Sequence, residues 1–285
     1  MPELPEVETT VQGLNKTVKG RRIKEVETSY NSAYHKGKDN IKDPKFFKHF
    51  KSLVEGATIL KAQRRAKNVL IHLSNGYTII THMKMTGHFV YDRPEYPFAR
   101  MSFKLDNGKV LSLSDMRKFA KVTIVETKDV EKCLHLEHLG PEPLTSDFKL
   151  INFKTQLLKR PKGKIKTVLM DQTLVAGIGN IYSDEILWRA DVHPLSTTSK
   201  IPEKNFKAMF KAMKEVLKKG IDLGGDSMSD YRNIEGERGK FQDHHRAYRR
   251  TGKPCTKKGC GGTIRRLVVG TRSAHFCDKH QKLYE

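Results

Sequence analysis

Apolar residues near the start of the chain fall at Val7, Val11, Leu14 and Val18, spacings of 4, 3 and 4 that mark one face of a helix. Pro5 lies in its first turn and Gly20 ends it. From there to about residue 130 the period changes to that of strands. The runs "TILKAQRRAKNVLIHL", "YTIITHM", "ARMSFKL" and "KVLSLS" are joined by "SNG" and "DNG", which are hairpin signals. The pattern predicts a helix packed on antiparallel sheets, a β-sandwich or barrel, over residues 1–135. "HLGPEPLTSDF" marks a proline-rich linker within 136–150, after which the helical period returns over 151–250. "IKTVLMDQTLVAGIGNIYSDEILWRA" holds two helical runs broken by "AGIGN". "PEKNFKAMFKAMKEVLKKG" is amphipathic, with Phe206, Met209, Phe210, Met213, Val216 and Leu217 as its core face. "GGDSMSDYRNIEGERGKFQDHH" is glycine-rich and polar and is expected to be a mobile loop. Residues 251–285 form a separate small module, two β-like runs around "VVGT". The class is α+β.

Charge narrows the partner. The chain has 54 Lys+Arg against 32 Asp+Glu, a net charge of +22, which points to a polyanion. No amphipathic stripe apolar enough for a membrane surface accompanies the cations, so nucleic acid is the expected partner. No run of about 18 apolar residues marks a membrane span. The acidic start lacks the apolar core of a signal peptide, so the expected location is intracellular.

Cys133 stands alone, whereas Cys255 and Cys260 lie in "CTKKGC" and Cys277 and His280 in "CDKH". Two ligand pairs joined by a hairpin suit one structural zinc ion, Cys3His, in a reducing compartment. So small a module has little core of its own, and the metal would fix its fold. His275 competes as a ligand but alternates with Phe276 on the strand, outside the pairs. Arg265, Arg266 and Arg272 give the hairpin a positive face.

In "VAGIGNIYSDE", Gly177 and Gly179 permit a sharp turn, and Asn180 opens the next helix, where free N–H groups favour a phosphate. A simple interhelical turn is the alternative. At the amino terminus, "MPELPEVET" crowds Glu3, Glu6 and Glu8 around two prolines in an otherwise basic chain. With Met1 removed, Pro2 is a secondary amine. An α-amino group has a pKa of about 8 against roughly 10.4 for lysine, so more of it is nucleophilic at neutral pH. Such an amine attacking an aldehyde-level carbon gives an iminium, and Glu3 beside it can donate a proton to a departing oxygen. A helix start decorated with acids to suit its dipole is the plain alternative.

"PELPEVE", "MDQTLVAGIGNIYSDEIL" and the cysteine-rich hairpin together resemble the formamidopyrimidine-DNA glycosylase (Fpg) family, within the Fpg/Nei superfamily, over essentially the whole chain. The resemblance implies an N-terminal antiparallel β-sandwich with a leading helix, a helical H2TH (helix–two-turn–helix) domain and a zinc β-hairpin finger. It implies a monomer that acts in base-excision repair on damaged double-stranded DNA, excising 8-oxoguanine and formamidopyrimidines and then cleaving the abasic site by β,δ-elimination. Residue by residue, Pro2 becomes the nucleophile, Glu3 the general acid, Glu6 a positioning group and Lys67 of "RRAKNVL" the phosphate-side lysine. Met85 of "THMKMTG" and Arg117 and Phe119 of "SDMRKFA" become the wedge filling the space of a flipped base. Asn180, Tyr248 of "HRAYRR" and Arg272 become phosphate contacts, and the stretch from Gly224 to Arg250 the lesion-capping loop.

The chain departs from the family in places. The finger usually carries two C-x-x-C pairs; here the first is widened and the last ligand is His280. Met83 and Lys84 stand where Leu-Gly is usual, Ala120 replaces a glycine, and Arg249 follows Tyr248 where glycine is usual. A Nei-like preference for oxidised pyrimidines or hydantoins, and a damaged-DNA-binding protein without catalysis, are the competing readings. "PELPEV" favours the Fpg type, and Pro2, Glu3, Glu6 and Lys67 together speak against binding alone.

Overall fold

The computed structural model describes every residue except Pro94. The chain divides into two compact units, Met1–His138 with Leu223–Lys240, and Leu139–Asp222 with Phe241–Glu285. Among the described residues no helix is long and apolar enough to cross a membrane.

The first unit opens with α1 (Leu4–Thr17), followed by β1 (Ile23–Thr28), α2 (Pro44–Val54), β2 (Ile59–Arg65), β3 (Asn68–Leu73), β4 (Tyr77–His82), β5 (His88–Tyr91), β6 (Ala99–Leu105), β7 (Val110–Ser114) and β8 (Lys121–Glu126). The strands make two four-stranded antiparallel sheets, ordered β1-β6-β7-β5 and β2-β3-β4-β8. The expected "SNG" and "DNG" turns join β3 to β4 and β6 to β7. Inward residues of both sheets, Val26, Phe103 and Leu113 from one and Val69, Ile71 and Val122 from the other, share a core with Val7, Val11, Leu14 and Val18. This is the sandwich with its leading helix. Asn15 ties α1 to the edge strand β2: its amide donates to the Ala62 carbonyl at 2.9 Å and accepts the Ala62 N–H at 2.8 Å. The side chain thus satisfies backbone groups that an edge would leave open.

Two features differ from the sequence reading. Helix α2 interrupts the strands; Asp43 caps it, accepting the Lys45 N–H at 2.8 Å, and Pro44 occupies its first turn. Its buried face is only Phe50 and Val54, too narrow to dominate the surrounding strand pattern. The glycine-rich segment 223–240, placed by the sequence in the helical region as a mobile loop, instead groups with the first unit. Tyr231 and Ile234 are buried there, and Ile234 belongs to the sandwich core.

The second unit holds α3 (Leu150–Leu158), α4 (Ile165–Met170), α5 (Asn180–Arg189), α6 (Glu203–Asp222) and the antiparallel hairpin β9 (Ile264–Val269) and β10 (Arg272–Cys277). The first helical run is shorter than its periodicity suggested, since α4 ends at Met170 and a turn continues to Gly179. Helix α6 buries Phe206, Met209, Met213, Val216 and Leu217, while Phe210, partly buried, meets Phe153 and Phe148 with ring centroids 5.7 and 6.2 Å apart. The hairpin folds with these helices. Lys282 bridges Val192, Gln281 Nε2 donates to the Val192 carbonyl at 2.8 Å, and the Tyr284 hydroxyl reaches Asn205 at 3.1 Å.

Candidate active site and metal centre

Pro2 is buried, and Glu3 and Glu6 are 2% and 1% exposed at the start of α1. Glu3 is the N-cap, and with Glu6 it closes a capping box in which the Glu3 N–H donates to Glu6 Oε2 at 2.7 Å. The other Glu6 oxygen accepts the Asp226 N–H at 2.7 Å. Tyr231 donates its hydroxyl to the Glu6 carbonyl at 3.0 Å, and burial raises its phenol so that it stays a donor. Gly225, at a φ of 84°, lies against Glu6: a Cβ there would sit 2.9 Å from Glu6 Cγ. The acids and the glycine-rich segment are therefore one constellation. Glu8 is separate from it, pairing with Arg64 Nε at 2.9 Å. Arg64 also donates to the Ala66 carbonyl at 3.1 Å, so Glu8 ties α1 to the β2–β3 turn that carries Lys67. Lys67 is 5% exposed, and Ala66 before it is left-handed, with a φ of 54°.

Met85, Arg117 and Phe119 lie on two loops of the same unit. Met85 is 38% and Phe119 48% exposed, and the Arg117 guanidinium stacks 4.5 Å from the Phe119 ring centroid. One buried carboxylate joins the loops. Asp115 accepts the Thr86 hydroxyl at 2.6 Å, the Tyr30 hydroxyl at 2.8 Å and the Ala120 N–H at 2.8 Å, while the Arg117 N–H donates to Thr86 Oγ1 at 3.1 Å. Nothing in "KMTG" or "SDMR" marks Thr86 and Asp115 as partners; only their meeting across the sheet does.

In the second unit Asn180 is the first residue of α5, and Gln172 braces the glycine turn before it, accepting the Gly177 N–H at 2.9 Å and donating to the Ile178 carbonyl at 2.7 Å. Lys166, fully buried, donates to the Asn180 carbonyl at 2.8 Å and to Asp184 at 2.6 Å. Asp184 in turn accepts the His275 N–H at 3.0 Å and meets its Nδ1 at 2.9 Å, linking α4 and α5 to the strand that carries the exposed Arg272. His275 is thus committed away from the metal cluster. Tyr248 is set by Glu185, whose carboxylate accepts the N–H groups of Arg246, Ala247 and Tyr248 at 2.9 Å each, and its ring meets His275 with centroids 5.1 Å apart. "YSDEIL" contains these acids, but sequence reasoning assigned them no role.

The Cys255, Cys260 and Cys277 sulfurs and a His280 nitrogen lie within 4.8 Å of one another. Cys260 Sγ is 3.5 Å from Cys277 Sγ and 3.4 Å from His280 Nδ1. A tetrahedral ion with bonds of about 2.0–2.3 Å needs donor separations of this order. The His280 Nε2 meets the Trp188 carbonyl at 3.0 Å, so Nδ1 is left as the ligand atom, the orientation typical of metal-bound histidine. The four residues can hold one metal ion, and thiolate and imidazole donors suit zinc.

Comparison with known proteins places this geometry. Residues 1–122 match the formamidopyrimidine-DNA glycosylase N-terminal domain and residues 139–232 the formamidopyrimidine-DNA glycosylase H2TH domain. The chain is 39% identical to the formamidopyrimidine-DNA glycosylase of Herpetosiphon aurantiacus, over 97% of this chain and 98% of the relative. It belongs to the formamidopyrimidine-DNA glycosylase family. The Bacillus subtilis formamidopyrimidine-DNA glycosylase is 37% identical, with 99% of each chain covered. The Lactococcus lactis Fpg, solved in complex with DNA containing an abasic site, superposes with a TM-score of 0.85 at 32% identity, covering 96% of this chain and 97% of that one.

Membership makes the protein a DNA glycosylase of base-excision repair. Against that family, two of its departures take on a physical meaning. Lys84 and Arg249 each keep a left-handed backbone, with a φ of 54°, at positions where Fpg sequences usually have glycine. Ala120 is buried and is not among the left-handed residues, so no such demand falls on it.

Proposed function

We propose that this DNA glycosylase is also an AP lyase, and that it excises 8-oxoguanine and formamidopyrimidines from double-stranded DNA through Pro2. The observation that carries the reading is the buried Glu3–Glu6 pair at the terminus, 2% and 1% exposed, beside a buried Pro2. Burying two carboxylates costs stability unless they are well bonded, and DNA binding alone calls for neither.

In this reading Met1 is removed and the Pro2 nitrogen attacks C1′ of the damaged nucleoside. The bond from C1′ to the base breaks and the base departs with the electron pair. The Pro2 N–H proton is lost, the ring C1′–O4′ bond opens as Glu3 protonates O4′, and an iminium forms between Pro2 and C1′. That cation accepts the electrons released when C2′ loses a proton and the 3′-phosphate leaves; a second elimination, at C4′, expels the 5′-phosphate. Water then hydrolyses the imine and frees Pro2. Glu6 positions the terminus, and Lys67 holds a phosphate near the sugar. Met85, Arg117 and Phe119 fill the space of the extruded nucleotide, offsetting an unstacking cost of a few kcal/mol. Asn180, Tyr248 and Arg272 hold backbone phosphates. Cys255, Cys260, Cys277 and His280 hold one structural zinc ion, which fixes the hairpin bearing Arg272 and takes no part in the reaction. The protein works as a monomer inside the cell, on its DNA.

Borohydride trapping on duplexes carrying 8-oxoguanine, an oxidised pyrimidine or an abasic site tests the reading. The expected result is a covalent adduct mapped to Pro2, with 8-oxoguanine preferred to the pyrimidine. The reverse preference would move the substrate class to the Nei type. No adduct on any duplex, from protein whose mass shows Met1 removed, would overturn the lyase.

A further inference from the structure

Lys84 is half-buried in a backbone conformation that side-chain-bearing residues rarely adopt. Its N–H donates to His82 Nδ1 at 3.0 Å. His82 stands in a row across the second sheet, paired with Asn68 on β3 and with Lys121 on β8, and residues paired in this way project from the same face. Lys67 immediately precedes Asn68. The sheet therefore gathers Lys67, Lys84 and Lys121 around one imidazole. Among the described residues no carboxylate forms an ion pair with Lys84 or Lys121. The nearby buried carboxylate, Asp115, is bonded to Tyr30, Thr86 and Ala120.

This arrangement is unfavourable on its own terms. A left-handed lysine is strained where glycine would not be. Like charges held together on a partly buried surface repel, and the consequences are visible: burial and the neighbouring Lys121 lower the Lys84 ammonium, and burial with Lys84, Lys67 and Lys121 drives His82 down to about 3. A bound anion would relieve the repulsion. The loops also say which anion, because Met85 follows Lys84 and Phe119 lies two residues before Lys121, both exposed. Cations beside exposed apolar side chains match a surface that grips a nucleic-acid backbone next to an inserted wedge.

We propose that Lys84 and Lys121, flanking His82 beside Lys67, form a subsite for one backbone phosphodiester of the bound DNA. The proposal rests on the DNA-repair reading above and adds to it a contact made by residues peculiar to this chain.

The test uses the Lys84→Gly/Lys121→Gln double variant and Lys121→Gln alone. Glycine suits the Lys84 backbone, so the thermal midpoint of the double variant is expected to hold or rise, and Lys121 is exposed, so neither change endangers the fold. Affinity for a duplex with a tetrahydrofuran abasic analogue is measured across a salt series. The expected result is a log–log salt slope shallower by about 0.9 in the double variant, the loss of one phosphate contact. Replacing single phosphates by neutral methylphosphonates should reveal one position that weakens wild-type binding and leaves the double variant unaffected. An unchanged slope, with the same methylphosphonate pattern in wild type and both variants, would overturn the subsite. Trapping the wild type on an abasic duplex of the same sequence keeps the readings apart: a failed adduct sinks the lyase, while the slope alone judges the phosphate contact.

Discussion

Glu6 and Asp226 are 220 residues apart in sequence and 2.7 Å apart in space, the backbone N–H of Asp226 donating to one carboxylate oxygen of Glu6 while the Glu3 N–H donates to the other. The first helix and the returning glycine-rich segment hold each other through a single buried side chain. Glu6→Gln puts an amide NH2 where one of these N–H donors must point. Losing a hydrogen bond to a charged acceptor costs about 1.5–3 kcal/mol. Its expected signature is a lower thermal midpoint together with faster proteolysis within residues 223–240. Adduct formation at Pro2 should fall roughly 100-fold, the order of effect of misplacing a reacting group. Gly225→Ala, which drives a Cβ to 2.9 Å from Glu6 Cγ, should reproduce the defect without touching a carboxylate. Wild-type adduct yields in both variants would show that Glu6 is a capping residue only.

Thr86 offers a similar test on the loops bearing Met85, Arg117 and Phe119. Its hydroxyl accepts the Arg117 N–H and donates to the buried Asp115, so Thr86→Val leaves one N–H and one carboxylate oxygen short of a partner. The expected stability cost is about 1–3 kcal/mol. Affinity for an abasic-analogue duplex should fall beyond what the loss of folded protein explains, and Thr86→Ser should restore both. If Thr86→Val bound DNA as the wild type does, the Asp115 link would be structural alone.

These links explain what could be read along the chain. The α1 face, the "SNG" and "DNG" turns, the α6 core and the Cys255–Cys260–Cys277–His280 grouping all depend on spacing within a few residues or on one hairpin, and periodicity or ligand chemistry marks them. What stayed hidden depends on partners far away. Lys166, Asp184 and Glu185 look like surface charges in sequence, yet each is buried because a strand or loop some 60 to 90 residues later brings its partner, or its partner's partner. The segment 223–240 looks mobile by composition because its glycines dominate. Tyr231 and Ile234, its two anchors, gain meaning only once α1 and the sandwich core are there to receive them.

The metal centre should answer to removal of the ion. Zinc content by mass spectrometry is expected to be one per chain, lost on treatment with a strong chelator or in Cys260→Ser. Since the His280 Nε2 is held by the Trp188 carbonyl on α5, loss of the ion should also loosen the packing of the hairpin on that helix. Hydrogen exchange should then quicken in residues 264–277 and at the end of α5, and DNA affinity should fall with it. Exchange that is unchanged after verified loss of the metal would separate the cluster from the stability of the hairpin.

Acid sensitivity follows from the histidines of the sandwich. Burial lowers His72 and His88, and burial with three lysines takes His82 to about 3, against about 6.5 in an unfolded chain. Below pH 6.5 the unfolded chain binds protons that the native one refuses, so stability falls as pH drops and is fully present above that value. The window runs from about 6.5 down toward 3. In its upper part, above pH 5, the carboxylates contribute little because their ordinary values lie lower. Urea midpoints measured from pH 8 to pH 5 should stay level to about pH 7 and then decline. His82→Gln keeps an acceptor for the Lys84 N–H while removing the titrating ring, so its decline should be shallower. A midpoint that stays level between pH 7 and 5 in the wild type would mean that these rings reach solvent and protonate without unfolding the sandwich.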